Sequence, residues 1–234
     1  MTLPRSWRLL SIDLDGTLVD TADEIAEAAN RALESHGIER RPFDDIVALI
    51  GAGTRELMLR LLARCFIERH DLIERVRLDA VLESLDEHYA QTTGTSAKPY
   101  PGCVEALAAL KAADVRLACV TNKEIRHARR VLDVTGLSGY FDLLVGGDSL
   151  PEKKPHPSVL RHVTQQLGVS RLQAAHLGDS ATDVAAARNA GVAAWAIPYG
   201  YNAGRPIGES NPDRIFDTLP AVAAHVLETR CRTA

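Results

Sequence analysis

The chain has 234 residues, 46% of them hydrophobic and 25% charged, enough for one large globular unit or for a core carrying an insertion. A net charge of −4 lacks the basic excess of a general nucleic-acid binder, and no apolar run approaches the roughly 18 residues of a membrane span. Cys65, Cys103, Cys119 and Cys231 stand far apart with no CxxC pair, so neither a zinc site nor a disulfide framework is expected. The opening MTLPRSWRLL carries no long apolar leader, and a reducing cytoplasm is the expected setting.

The first apolar run, Leu9, Leu10 and Ile12, leads into Asp13, Asp15 and Gly16 within LLSIDLDGTLVD. Apolar residues closed by a glycine predict a buried strand ending in a tight turn. Side chains at i and i+2 leave an extended backbone on the same side, so Asp13 and Asp15 share a direction. In an open parallel sheet, that direction is the crevice outside the strand ends, where ligands gather. Two carboxylates there are costly unless a proton or a cation neutralises them, and oxygen ligands suit magnesium. The plainer account is that the pair caps the turn before the next helix.

Residues 21–36 have helical spacing, with Ile25, Ala28, Ala29, Ala32 and Leu33 on one side and Gly37 as the stop. Asp44 and Asp45 open a short helix that ends at Gly51-Ala52-Gly53, and Thr54 is expected to cap a third. A longer helix is predicted over residues 72–90, so residues 19–91 read as helices without strands. The polar stretch TTGTSAKPYPG suits a linker, and with residues 17–21 it supplies two hinges. Helices are then predicted at 104–112, 123–134, 157–167, 181–189 and 220–228. They alternate with strands at 115–120, 143–145, 174–177 and 192–197, and with an edge strand at 214–216. Such alternation predicts an α/β protein, a Rossmann-like doubly wound parallel sheet with helices on both faces. The first strand must join that sheet, which makes the helical block an insertion: a core of residues 1–18 and 96–234, and a small all-helical cap of residues 19–95.

The predicted strands end in polar groups. Thr121 and Asn122 open a helix, where a hydroxyl and backbone N–H groups bind oxyanions; alone, they are a plain helix cap. Lys154 lies between stiffening prolines in KPHP; alone, it is a solvated lysine. Asp179 and Asp183 in GDSATD share the start of a helix, where acidic residues also simply stabilise the first turn.

Taken together, DLDGT, the apolar run ending in Thr121, Lys154-Pro155 and GDSATD resemble the haloacid dehalogenase superfamily, in the right order and over essentially the whole chain. DLDGTLVDTADEI, VTNK, KKPHPSVL, GDSATDVAAARNAG and the late YGYNAGRPIGESNPDRIFDTL resemble its phosphoglycolate phosphatases. The resemblance implies a magnesium-dependent phosphatase in which Asp13 is the nucleophile and Asp15 the general acid and base. It also implies that Asp13, Asp179 and the carbonyl of Asp15 hold the metal, that Thr121, Asn122, Lys154 and Gly16 meet the phosphate, and that Asp183 orients the metal shell or Lys154. Arg55 is the candidate for a substrate carboxylate, its alternative being a solvated arginine. Mutases of the superfamily carry a cap histidine where this chain has Ile25, which favours hydrolysis. The expected partner is a small phosphomonoester such as 2-phosphoglycolate, with sugar phosphates, pyrophosphate or a β-phosphoglucomutase-like transfer as alternatives and a non-catalytic binding module as a remote one. No nucleic acid or membrane partner is expected, and the expected state is a monomer or homodimer.

Overall fold

Leu9–Ile12 (β1) is buried along its whole length because it lies mid-sheet, paired in parallel with two other strands. The computed structural model describes residues 6–231, without the side chains of 230 and 231. The expectation for the Cys231 side chain, like those for residues 1–5 and 232–234, lies outside what the structure describes. After β1 come β2 (Val19–Asp20), α1 (Ala22–Ser35), α2 (Phe43–Val47), α3 (Thr54–Glu68), α4 (Leu72–Arg75), α5 (Leu78–Thr92) and β3 (Lys98–Pro99). The alternating part follows: α6 (Cys103–Ala112), β4 (Arg116–Val120), α7 (Ile125–Val134), β5 (Leu143–Val145), α8 (Pro157–Gln166), β6 (Ala174–Gly178), α9 (Ala181–Ala190), β7 (Ala193–Ala196), β8 (Arg214–Ile215) and α10 (Leu219–Cys231).

The six-stranded sheet has the order β5-β4-β1-β6-β7-β8, every pairing parallel. Successive strand residues serve opposite faces. In β4, Leu117 and Cys119 enter one apolar layer, while Ala118 and Val120 enter the other. The first layer receives α6, α7 and α10; the second receives α8 and α9. The chain leaves β1 for β4 on one side and later returns to β6 on the other. The ends of these three strands therefore flank the topological switch point, where open α/β sheets bind ligands. Among the described residues, no helix is long and apolar enough to cross a membrane.

Helices α1 to α5 bury a cluster of their own, including Ile25, Leu33, Ile46, Leu57, Met58, Leu61, Leu85 and Tyr89. Burying each such side chain is worth roughly 1.5–3 kcal/mol, so the block has its own apolar support. Three local expectations change. Gly53, not Thr54, is the N-cap of α3, and Thr54 instead donates to Glu124 at 3.2 Å. The helix predicted over 72–90 breaks because Val76 and Arg77 are extended, with Val76 packed against the helical cluster. Finally, β2 and β3 pair antiparallel, Val19 with Pro99 and Asp20 with Lys98. Two-residue strands carry no readable alternation, yet this ribbon joins the two crossings between sheet and helical block.

Candidate active site

Asp13 follows β1 directly, and its N–H donates to Leu177 O at 2.9 Å, which ties it to the end of β6. The chain then turns tightly, with the N–H groups of Thr17, Leu18 and Val19 all reaching Leu14 O. Gly16 sits in this turn at φ +81°, where a Cβ would lie 2.5 Å from Asp179 Oδ2. The Gly16 N–H donates to Val19 O at 2.9 Å, and the missing side chain lets Asp179 approach. Asp179 is buried, taking Thr17 Oγ1 at 2.8 Å and the Tyr201 N–H at 2.5 Å.

Lys154, 3% exposed, donates to Val120 O and Asp183 Oδ1, each at 2.7 Å. Its Nζ also lies 2.9 Å from Asp13 Oδ1, but off the direction of a hydrogen bond, so that buried oxygen is neutralised by charge while still lacking a hydrogen-bond partner. Asp183 spends both its oxygens on donors: Lys154 and His176 Nε2 (3.2 Å) on one, the Ser180 N–H (3.2 Å) and hydroxyl (2.5 Å) on the other. Burial raises the Asp183 pKa, and Lys154 and His176 outweigh it, holding the carboxyl below its usual range. Asp183 thus anchors Lys154, one of the two roles expected for it.

Asp13 and Asp179 shift the other way. Burial, reinforced by neighbouring carboxylates, pushes Asp13 up to about 8 against the pull of Lys154, and Asp179 up to about 7. Two buried carboxylates that resist ionisation, an orphaned Asp13 oxygen, and carboxylate atoms of Asp13, Asp179 and Asp183 within 4.8 Å of one another are the donor set of a hard cation. The residues fit a divalent metal held by oxygen.

Thr121 is buried, and its hydroxyl accepts the Lys123 N–H at 3.2 Å, keeping its own proton free. Asn122 clamps two loops: its side chain donates to Gly51 O and Lys154 O and accepts the Lys154 N–H, each at 3.0 Å. Among the described residues, no acceptor takes the N–H groups of Leu14, Asp15 or Asn122. Asp15 and Asn122 line the cavity beside Asp13, where unpaired N–H groups suit an anion.

The helical block closes over this cluster. Ile25, Ile50, Gly51, Gly53, Thr54 and Leu57 face Asp13, Asp15, Thr121, Asn122 and Lys123 across a cavity of about 20 Å³, room for little more than one water molecule. Lys153 Nζ holds Ala52 O at 2.6 Å, which secures the loop before α3. A larger hollow of about 740 Å³ runs beside Glu24, Glu27, Arg31 and Arg40, but its arginines are already paired with Glu27 and Glu34. Arg55 does not reach the site: it is exposed and outside the cavity wall. Neighbouring helical positions point about 100° apart, and Thr54 takes the inward one.

Sequence reasoning passed over Lys123 and the Tyr199–Tyr201 segment. Lys123 pairs with Asp15 Oδ1 at 2.7 Å. Tyr199 donates to Thr17 O at 3.0 Å, and the Tyr201 hydroxyl takes the N–H groups of Thr21 and Ala22 at 2.9 and 3.1 Å while donating to Asp20. The VTNK and YGYN runs were visible, but a lysine's burial is not.

A family model for haloacid dehalogenase-like hydrolases matches residues 7–191. The chain is 41% identical over 223 residues to a Cupriavidus necator protein named phosphoglycolate phosphatase, plasmid, covering 95% of this chain and 94% of that one. It is 39% identical to phosphoglycolate phosphatase 1 of Pseudomonas aeruginosa, over 91% of this chain and 77% of the relative. Among solved structures it is similar to a Haemophilus somnus protein described as a predicted phosphoglycolate phosphatase, with a TM-score of 0.88, 31% identity, and 94% and 97% of the two chains covered.

Proposed function

The chain belongs to the haloacid dehalogenase-like hydrolases, and on that premise we propose that it hydrolyses 2-phosphoglycolate to glycolate and phosphate through an aspartyl phosphate on Asp13. The observation that carries this reading is the setting of Asp13. It lies buried at the switch point, with a cation at 2.9 Å on one side and unpaired backbone N–H groups around the cavity on the other. Asp13 attacks phosphorus in line; its new P–O bond forms as the ester P–O bond breaks. Asp15 gives its proton to the departing alkoxide, then takes one from the water that cleaves the aspartyl phosphate and restores Asp13. The N–H groups of Leu14, Asp15 and Asn122, the Thr121 hydroxyl and the Lys154 ammonium receive the phosphoryl oxygens. Asp13, Asp179 and the carbonyl of Asp15 would hold magnesium, which draws charge from those oxygens when bound.

Residues 19–95 act as a cap that excludes bulk water while Asp13 is phosphorylated. The substrate assignment rests on the relatives' names. Ile25 in its wall carries no proton, which favours hydrolysis over the internal transfer of a mutase. The cap's contribution to the wall is the loop before α3 with Thr54, in place of Arg55.

The test compares kcat/KM for phosphate release across 2-phosphoglycolate, hexose phosphates and pyrophosphate, with Asp13→Asn as the background. A preference for 2-phosphoglycolate of about tenfold or more, equivalent to roughly 1.4 kcal/mol in the transition state, supports the assignment. A sugar phosphate on top overturns the substrate, and turnover by Asp13→Asn overturns the nucleophile.

A further inference from the structure

Lys123 takes part in none of these steps, yet it is 2% exposed, and a lysine is almost never so buried without a partner. Its Nζ donates to Asp15 Oδ1 at 2.7 Å, and Thr21 Oγ1 donates to the same oxygen at 2.6 Å. Two donors on one oxygen fix the plane of the carboxyl group. Asp15 lines the cavity, and Oδ2 has no protein partner among the described residues, so Oδ2 is the oxygen left for a proton.

The groups around the ammonium come from both parts of the molecule. Lys123 itself follows β4, whereas Tyr89, whose ring centre lies 5.1 Å from Nζ, belongs to α5. Glu24 of α1 adds its charge from the same side, and its own carboxylate is tied down by the Gly94 N–H at 2.8 Å. Burial opposes the Lys123 charge, but Asp15, ahead of Glu24, overrides it and keeps the pKa above its ordinary value. A cation held this firmly does not exchange protons during turnover. Its usefulness is in where it holds Asp15.

We propose that Lys123 is a positioning residue for the leaving-group acid, fixing Asp15 Oδ1 so that Oδ2 delivers its proton to the departing oxygen, and that α1 and α5 hold Lys123 in that place. The proposal rests on the reading of Asp15 as the acid. In the first step the Asp15 proton moves to the ester oxygen as its bond to phosphorus breaks, leaving a carboxylate paired with Lys123. In the second step that carboxylate takes a proton from water, and Lys123 keeps its own protons throughout.

The experiment compares kcat/KM for two small phosphates, 2-phosphoglycolate, whose alkoxide needs a proton to leave, and acetyl phosphate, a mixed anhydride whose acetate does not. Lys123→Met removes the charge at nearly constant volume. It is expected to lower kcat/KM on 2-phosphoglycolate by about tenfold or more, within the range of general acid catalysis, with kcat/KM on acetyl phosphate near wild type. Hydrolysis of the aspartyl phosphate, which Asp15 also serves, lies beyond the step that kcat/KM reports. Adding Lys123→Met to Asp15→Asn should lower the ratio of the two kcat/KM values no further than Asp15→Asn alone. Lys123→Gln, which retains a donor, should restore part of the ratio, and it serves as the main variant if Lys123→Met does not unfold cooperatively. An equal loss of kcat/KM on both phosphates in the Lys123 variants, or an unchanged ratio, overturns the positioning role. If Asp15→Asn itself lowers kcat/KM for both phosphates equally, the acid assignment fails and the proposal fails with it.

Discussion

Asp183→Asn is the sharpest test of how the buried charges are arranged. The change is isosteric, so packing is preserved and only donor and acceptor character alters. All four neighbours of the Asp183 carboxylate present donors to it: Lys154 and His176 on one oxygen, the Ser180 N–H and hydroxyl on the other. An asparagine must turn its NH₂ toward one of these pairs. The imidazole can change tautomer and the hydroxyl can rotate, but neither the ammonium nor the backbone N–H can become an acceptor. One of them loses its acceptor there, and Lys154 loses one of its two charged partners. Breaking a buried ion pair from one side costs about 3–5 kcal/mol. For a chain of this size, each kcal/mol lowers the thermal midpoint by about 2–4 °C, so a drop of at least about 6 °C is expected. Calorimetry of Asp183→Asn beside Ser180→Ala provides the scale, since losing one hydrogen bond costs only about 1 kcal/mol. A midpoint for Asp183→Asn within about 2 °C of wild type would refute the account.

Gly200→Ala should lower both stability and activity: the added Cβ would lie 2.3 Å from Asp179 Cβ and 2.4 Å from Gly16 O, and overpacking costs about 1–3 kcal/mol. Gly139→Ala, with nothing within 4 Å, is the control, and equal unfolding midpoints for the two would contradict this. Magnesium should stabilise the fold by about 2.7 kcal/mol at a hundred times its Kd, raising the thermal midpoint; a gain that survives in Asp179→Asn would remove Asp179 from the metal site. His127 is held down to about 4, by burial first and then by Arg126 and Lys123. Its unfolded value is near 6.5, so the unfolded chain binds more protons between these limits and stability falls as pH drops from about 6.5 to 4. His127→Gln should flatten that slope in urea titrations across this range, and an unchanged slope argues against the assignment.

The alternating half of the chain was legible because strand and helix periods differ and each predicted strand ends in a recognisable polar group. Asp13, Asp15, Thr121, Lys154, Asp179 and Asp183 each had a plain structural account when read singly, and it was their combination in order along the chain that carried the resemblance. Arg55 could not be placed, because neighbouring positions at a helix start look alike until one of them is packed inward, and here it is Thr54. The β2–β3 ribbon escaped because two residues make no pattern, and the break after α4 because packing of Val76 decided it.

What the sequence determined by itself was local: the strands and helices, the carboxylates at the strand ends, and the family those motifs belong to. Only the tertiary structure decided which charges neutralise one another. Lys123 and Lys154 look alike in sequence, yet one pairs with Asp15 and the other bridges Asp183 and Asp13. The Tyr201 hydroxyl likewise receives the first N–H groups of α1 from 180 residues away. The reason is physical: a buried charge or an orphaned N–H must find its partner through space, and distance along the chain does not record which partner that is.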